Sequence, residues 1–139
     1  MLLICNFSMA QSAPYKVVFD VTTKDTVVHQ MVIRWVKEII AASPSANVEI
    51  VFYAKSLDMI TKDKSVVAGD VVQLAANKNV SFKVCEVAMK NNMVEKNQLL
   101  KGVETVPDGI YEIFPFNTMD GAILRLRDKS FFSLRKIIV

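Results

Sequence analysis

The sequence predicts an α/β domain of three layers, α/β/α, built on a mainly parallel five-stranded sheet. Three observations predict it. Short β-branched and aromatic runs alternate five times with segments of helical character, always in the same direction along the chain. The first such run is nearly continuously apolar, as expected of a central strand covered on both faces. The 139 residues are 52% hydrophobic and 22% charged, enough for one domain with a sizeable core and too apolar for disorder over most of the length.

Lys16 to Thr22, KVVFDVT, reads as the first strand. Residues 26–42 follow as a helix. The pairs Val27/Val28, Met31/Val32, Trp35/Val36 and Ile39/Ile40 recur every four residues and form one apolar stripe, with Met31 and Trp35 at core spacing. Asp25 is placed to cap this helix. Ser43-Pro44 stops it, because proline disfavours the helical state in the residue before it. Asn47 to Ala54, NVEIVFYA, is the second strand, and residues 56–62 make a short helical turn. Ser65 caps a second helix running through Leu74 and Ala75, with Val67, Val71 and Leu74 inward. Asn77-Lys78-Asn79 turns the chain into the third strand, Val80 to Val84, which runs directly into Cys85.

Residues 86–100 read as helical pieces broken at Asn91-Asn92. Val103 to Val106 is the fourth strand. Pro107 opens another helix at its first position, with Ile110, Ile113 and Phe114 inward and a kink or stop at Pro115. Asp120-Gly121 turns into the fifth strand, Ala122 to Arg127. The order of the strands in the sheet is not encoded in these patterns.

The scarce residues exclude whole classes of chemistry. Two cysteines, Cys5 and Cys85, and one histidine, His29, cannot build a Cys₄ or Cys₂His₂ zinc site, and they allow one disulfide at most. The glycines stand at 69, 102, 109 and 121, so neither GxGxxG nor GxxxxGK[ST] occurs. No cofactor and no metal are expected. The net charge of +3 lies in the tail. Residues 125–139 hold five basic side chains against one acidic, a net of +4, which leaves −1 for the rest. A specific nucleic-acid partner is therefore not expected. Contact of the tail with nucleic acid or an anionic membrane ranks well below the readings that follow.

Residues 1–13, MLLICNFSMAQSA, carry no charge and pass from an apolar run to small polar residues. This resembles the end of a secretory signal peptide that lacks its basic start. Cleavage after Met9-Ala10-Gln11 would leave Cys85 as the lone thiol and place the protein in the periplasm or outside the cell. The competing reading is a loosely packed arm on a cytoplasmic protein. No stretch reaches the roughly 20 apolar residues of a transmembrane helix. Residues 15–127 form the domain, and 128–139, DKSFFSLRKIIV, a basic and aromatic extension.

In an open α/β sheet ligands bind outside the carboxyl ends of the strands. Those ends carry Asp20, Thr22, Lys55, Cys85 and Asp108. Cys85 is the most reactive of them. Amide groups at the start of the following helix favour a thiolate, and the adjacent Glu86 opposes it. A thiolate there can attack sulfur and hold a persulfide without metal or nucleotide. The competing reading is an inert buried thiol. His29 is a candidate proton donor or thiolate partner, against a plain helix-flank histidine. Lys55 is a candidate for stabilising a thiolate or an anionic sulfur substrate, against a solvated loop lysine. Asp20 is a candidate for orienting a pocket group, against a turn or cap acceptor. Tyr111 and Phe116 can line an oligomer interface or simply pack.

Three stretches carry a family resemblance: KVVFDVTTKD at 16–25, VSFKVCEVAMK at 80–90 and GVETVPDGIYEIF at 102–114. A strand ending in cysteine, an apolar residue four positions on (Met89), then Gly-Val-x-x-Val-Pro-x-Gly resembles the DsrE/DsrF-like family of small sulfur-relay proteins in order and spacing. The resemblance covers roughly four-fifths of the chain, from about Lys16 to Arg127. It implies an α/β/α domain forming homo- or hetero-oligomers, often trimers or hexamers. It also implies exchange of sulfane sulfur with donor and acceptor proteins or small sulfur compounds, and a persulfide on Cys85. The signal-like start and the extension after the fifth strand depart from the family's cytoplasmic relay members. A non-catalytic oligomeric binding module, with Cys85 incidental, is the alternative.

Overall fold

The computed structural model describes residues 16–113 and 121–126. The readings of residues 1–13 and 128–139, of Phe114, Pro115 and Phe116, and of Arg127 fall outside them. Five strands, β1 (Lys16–Val21), β2 (Asn47–Phe52), β3 (Val80–Cys85), β4 (Val103–Val106) and β5 (Gly121–Leu126), form one sheet in the order β4-β3-β2-β1-β5. Every pair is parallel. Four helices connect them: α1 (Thr26–Ala42), α2 (Ala68–Ala75), α3 (Glu86–Asn91) and α4 (Gly109–Ile113).

Strand pleating divides the side chains between two faces. Val17, Phe19 and Val21 of β1, Val48, Ile50 and Phe52 of β2, and Val80, Phe82 and Val84 of β3 form the larger core, closed by Val28, Val32 and Val36 of α1 and Val71 of α2. Phe19 stacks on Trp35 with ring centroids 6.4 Å apart, and Phe52 on Phe82 at 6.2 Å. The opposite face carries a smaller apolar cluster, Val18 and Val51 under Ile113 of α4.

Helix α1 spans the predicted range, and Asp25 Oδ1 accepts the Val27 amide at 2.9 Å as its cap. Residues 56–60 are a 3₁₀ helix. Ser65 accepts the Val67 amide, but α2 begins only at Ala68. Strand β2 stops at Phe52, short of the predicted Ala54, because Ala54 adopts a left-handed backbone conformation (φ 57°) that no ladder accommodates. Helix α4 begins at Gly109, two residues after Pro107. Asp108 caps it instead, its Oδ1 accepting the Ile110 amide at 3.0 Å. Ile110, expected inward, is 62% exposed.

Helix α3 ends in a Schellman turn. The Met93 amide donates to Lys90 C=O and the Val94 amide to Met89 C=O, with Met93 at φ 53°. Glycine or asparagine normally fills that position, and the Met93 side chain is 88% exposed. Met93→Gly is therefore expected to stabilise the fold by about 1 kcal/mol, read as a Tm increase of roughly 4 °C. Gly102 is the reverse case. It adopts φ +89°, and a Cβ there would stand 2.5 Å from Ala75 Cβ. Gly102→Ala is expected to cost about 2–4 kcal/mol, measured as a lower urea midpoint.

Candidate functional site

Cys85 is the last residue of β3 and the residue preceding α3. Alternation along VSFKVC places Val80, Phe82 and Val84 on the large-core face and Lys83 on the other, whereas Cys85, at the strand end, packs with the large core while its Cβ borders the second face. Helix α4 lies there. A Cβ built on Gly109 would stand 3.3 Å from Cys85 Cβ, 3.1 Å from Val51 Cγ1 and 3.6 Å from Tyr53 Cδ1. Gly109 is thus glycine for close approach, at a position where its φ is not in the left-handed region. The thiol is free and 5% exposed.

One pleat below Cys85, Lys83 Nζ meets Glu112 Oε2 of α4 at 2.6 Å and Glu49 Oε2 of β2 at 3.2 Å. Burial pushes the Glu49 carboxyl above its ordinary range, although Lys83 pulls it down. The two carboxylates hold the Lys83 ammonium above its ordinary value against its own desolvation. Further along this face Arg125 Nε of β5 donates to Asp20 Oδ2, and the guanidinium is held above its ordinary value by that bond. Among the described residues neither Asp20 Oδ1 nor Glu49 Oε1 has a hydrogen-bond partner.

The loop after β2 is tied to α3. Asn92, at the end of α3, donates from Nδ2 to Ala54 C=O at 2.7 Å and to Ala88 C=O at 2.8 Å. This bond ties the left-handed Ala54 to the helix that follows Cys85.

The predicted site residues separate. Cys85 and Asp108 meet at α4, Asp108 as its cap. Asp20 is fully buried inside β1 as the partner of Arg125, so the turn-acceptor reading fails because the strand continues past it to Val21. Thr22 C=O accepts the Lys55 amide at 3.2 Å, and the Lys55 side chain is exposed. His29 is buried, not a helix-flank residue. It lies in α1, the layer on the opposite side of the sheet from α4. Its Nε2 lies 2.8 Å from Thr23 C=O, so this nitrogen carries the proton. Nothing brings His29 to the thiol.

Lys83, Glu49 and Glu112 were not singled out from the sequence, and Gly109 and Asn92 were named there only in a motif and as a helix break. Opposite charges at same-face positions of two apolar strands, Glu49 in NVEIVF and Lys83 in VSFKV, were the available signal. The groove lined by Lys16, Asn47, Glu49, Lys78, Asn79 and Ser81 opens at the amino-terminal edge of the strands, away from Cys85.

No family model matches the chain, and no curated protein matches it. Among solved structures it is similar to MTH1491 from Methanobacterium thermoautotrophicum, a protein of unknown function. The identity is 28% and the TM-score 0.73, over 81% of this chain and 99% of that one. It also shares its fold with the ychN protein from E. coli, at 12% identity and TM-score 0.67, over 82% of this chain and 100% of that one. No helix among the described residues is long and apolar enough to cross a membrane.

Burial holds the His29 pKa below its ordinary 6.5, although its bond to Thr23 C=O and nearby Asp58 and Asp25 oppose this. The folded state then binds fewer protons than the unfolded chain. Its stability is present above pH 6.5 and is lost as pH falls through the window below that value. His29→Gln, which does not titrate, is expected to lose less stability than wild type between about pH 7.5 and about pH 5. Urea midpoints at the two pH values measure this, and equal losses would remove His29 as the source.

Proposed function

We propose that the protein is a sulfur carrier that holds sulfane sulfur as a persulfide on Cys85. The observation that carries this reading is the position of Cys85. It stands at the carboxyl end of a central parallel strand, between the start of α3 and the overlying Gly109. The resemblance of three stretches to the DsrE/DsrF-like family supports it.

The step needs one thiolate. Cys85 sulfur attacks the terminal sulfur of a persulfide donor R–S–S⁻, a Cys–S–S⁻ bond forms, and R–S⁻ departs with the electron pair of the broken bond. With thiosulfate the leaving group is sulfite. Transfer to an acceptor thiolate reverses the sequence. On this reading homo-oligomers and protein donors or acceptors are the expected partners, and a periplasmic setting follows if residues 1–11 are removed.

A second reading has one observation in its favour. The thiol is buried while Val87 on α3, Met93 just past its end, and Ile110 and Tyr111 on α4 are exposed. This suits a non-catalytic oligomeric binding module in which Cys85 only packs.

Intact mass after incubation with thiosulfate, polysulfide or a persulfide donor separates the two. With Cys5→Ser in both proteins, the parent is expected to gain one sulfur atom that dithiothreitol removes, and Cys85→Ser to gain none. Equal uptake by both proteins, or none by either with every donor, favours the binding module.

A further inference from the structure

We propose that α4 is a latch over the Cys85 thiol, that the Glu112–Lys83 ion pair holds it shut, and that Glu49 sets how firmly it holds. The inference rests on the reading of Cys85 as the working thiol. A sulfur donor must bring its own sulfur against Cys85 Sγ, and a side chain only 5% exposed does not admit one. Part of its cover has to move.

Of that cover, α4 is the shortest helix and hides the fewest side chains. Strands β2 and β4 are fixed to β3 by ladder pairing. Helix α3 sinks Ala88 and Met89 into the large core. Helix α4 has five residues, of which Gly109 and Ile113 are buried while Ile110 and Tyr111 are 62% and 76% exposed. Among the described residues its other side-chain anchor is Glu112, whose Oε2 lies 2.6 Å from Lys83 Nζ. Lys83 stands two residues before Cys85, roughly 7 Å along the strand. The tether therefore lies directly beside the group it covers.

The charge count makes the latch releasable. Breaking a partly buried ion pair leaves one charge in a poorer solvent than water. Here Lys83 also meets Glu49 Oε2 at 3.2 Å. When α4 lifts, Glu112 carries its charge into water and Lys83 keeps Glu49. Two carboxylates on one ammonium also repel each other. Glu49 thus weakens the grip of Glu112 and catches Lys83 when that grip fails. Neutralising Glu49 tightens the latch, and neutralising Glu112 opens it.

Those opposite signs provide the test. The 139-residue chain with Cys5→Ser is treated with iodoacetamide, a small neutral reagent, and alkylation of Cys85 is followed by mass. Glu112→Gln is expected to react about tenfold faster than the parent, the loss of one charge-assisted bond. Glu49→Gln is expected to react severalfold slower. Glu112→Asp, with its charge kept and its reach shortened, is expected to fall between parent and Glu112→Gln, and serves if Glu112→Gln does not fold. Rates governed by local opening stay nearly flat in low urea, whereas global unfolding follows the full urea slope.

Both Gln variants moving in the same direction, no change in either, or acceleration that only tracks the urea midpoint would overturn the latch. No sulfur donor is present in this measurement. A failed latch therefore leaves persulfide loading untouched, and failed loading leaves the alkylation rates as they are.

Discussion

All pairings in the sheet are parallel, and a parallel connection crosses over in the right-handed sense. The face on which each helix falls is then decided by the direction of the step it spans. From β1 to β4 the chain moves steadily one way across the sheet, and α1, α2 and α3 all add residues to the large core. The step from β4 to β5 reverses direction and crosses to the far side of β1. Helix α4 is laid on the second face for that reason, and it is the helix that meets Cys85.

The two faces differ in kind. The first is a packed apolar layer centred on Phe19, Phe52 and Phe82, all fully buried, and it supplies most of the hydrophobic driving force. The second places charges among few apolar contacts: Asp20 with Arg125, and Lys83 between Glu49 and Glu112. Partly buried ion pairs of this kind add little net stability, because desolvation offsets their attraction. They do fix which groups sit opposite one another. A packed apolar face thus holds the strand, and on the polar face α4 closes over the end of that strand at Gly109.

The rim of the site holds a backbone conformation that β-carbons disfavour. Ala54 is left-handed at the end of β2, and Asn92 at the end of α3 hydrogen-bonds its carbonyl. Strain of this sort persists where surrounding contacts over-determine it, and it gathers at functional sites. Here it turns the chain sharply between β2 and the following 3₁₀ helix, close to Tyr53, whose ring faces Gly109.

Much of this was legible in the residues themselves. Val27 to Ile40 recur with helical period, Asp25 caps them, and β-branched runs mark β1, β2 and β3, because local periodicity and capping depend on neighbours in sequence. The strand-end position of Cys85 followed from the same patterns. The end of β2 at Phe52 and the exposure of Ile110 did not, since both depend on what lies across space rather than along the chain. The same holds for His29, whose helical position reads alike whether it is solvated or bonded to Thr23 C=O. Glu49, Lys83 and Glu112 are far apart in sequence, and only strand register and the return of α4 over the second face bring them together. The sequence by itself determined that a thiol would stand at the end of a parallel strand. The tertiary structure decided what covers that thiol, because a charge's partners are set by topology and not by spacing along the chain.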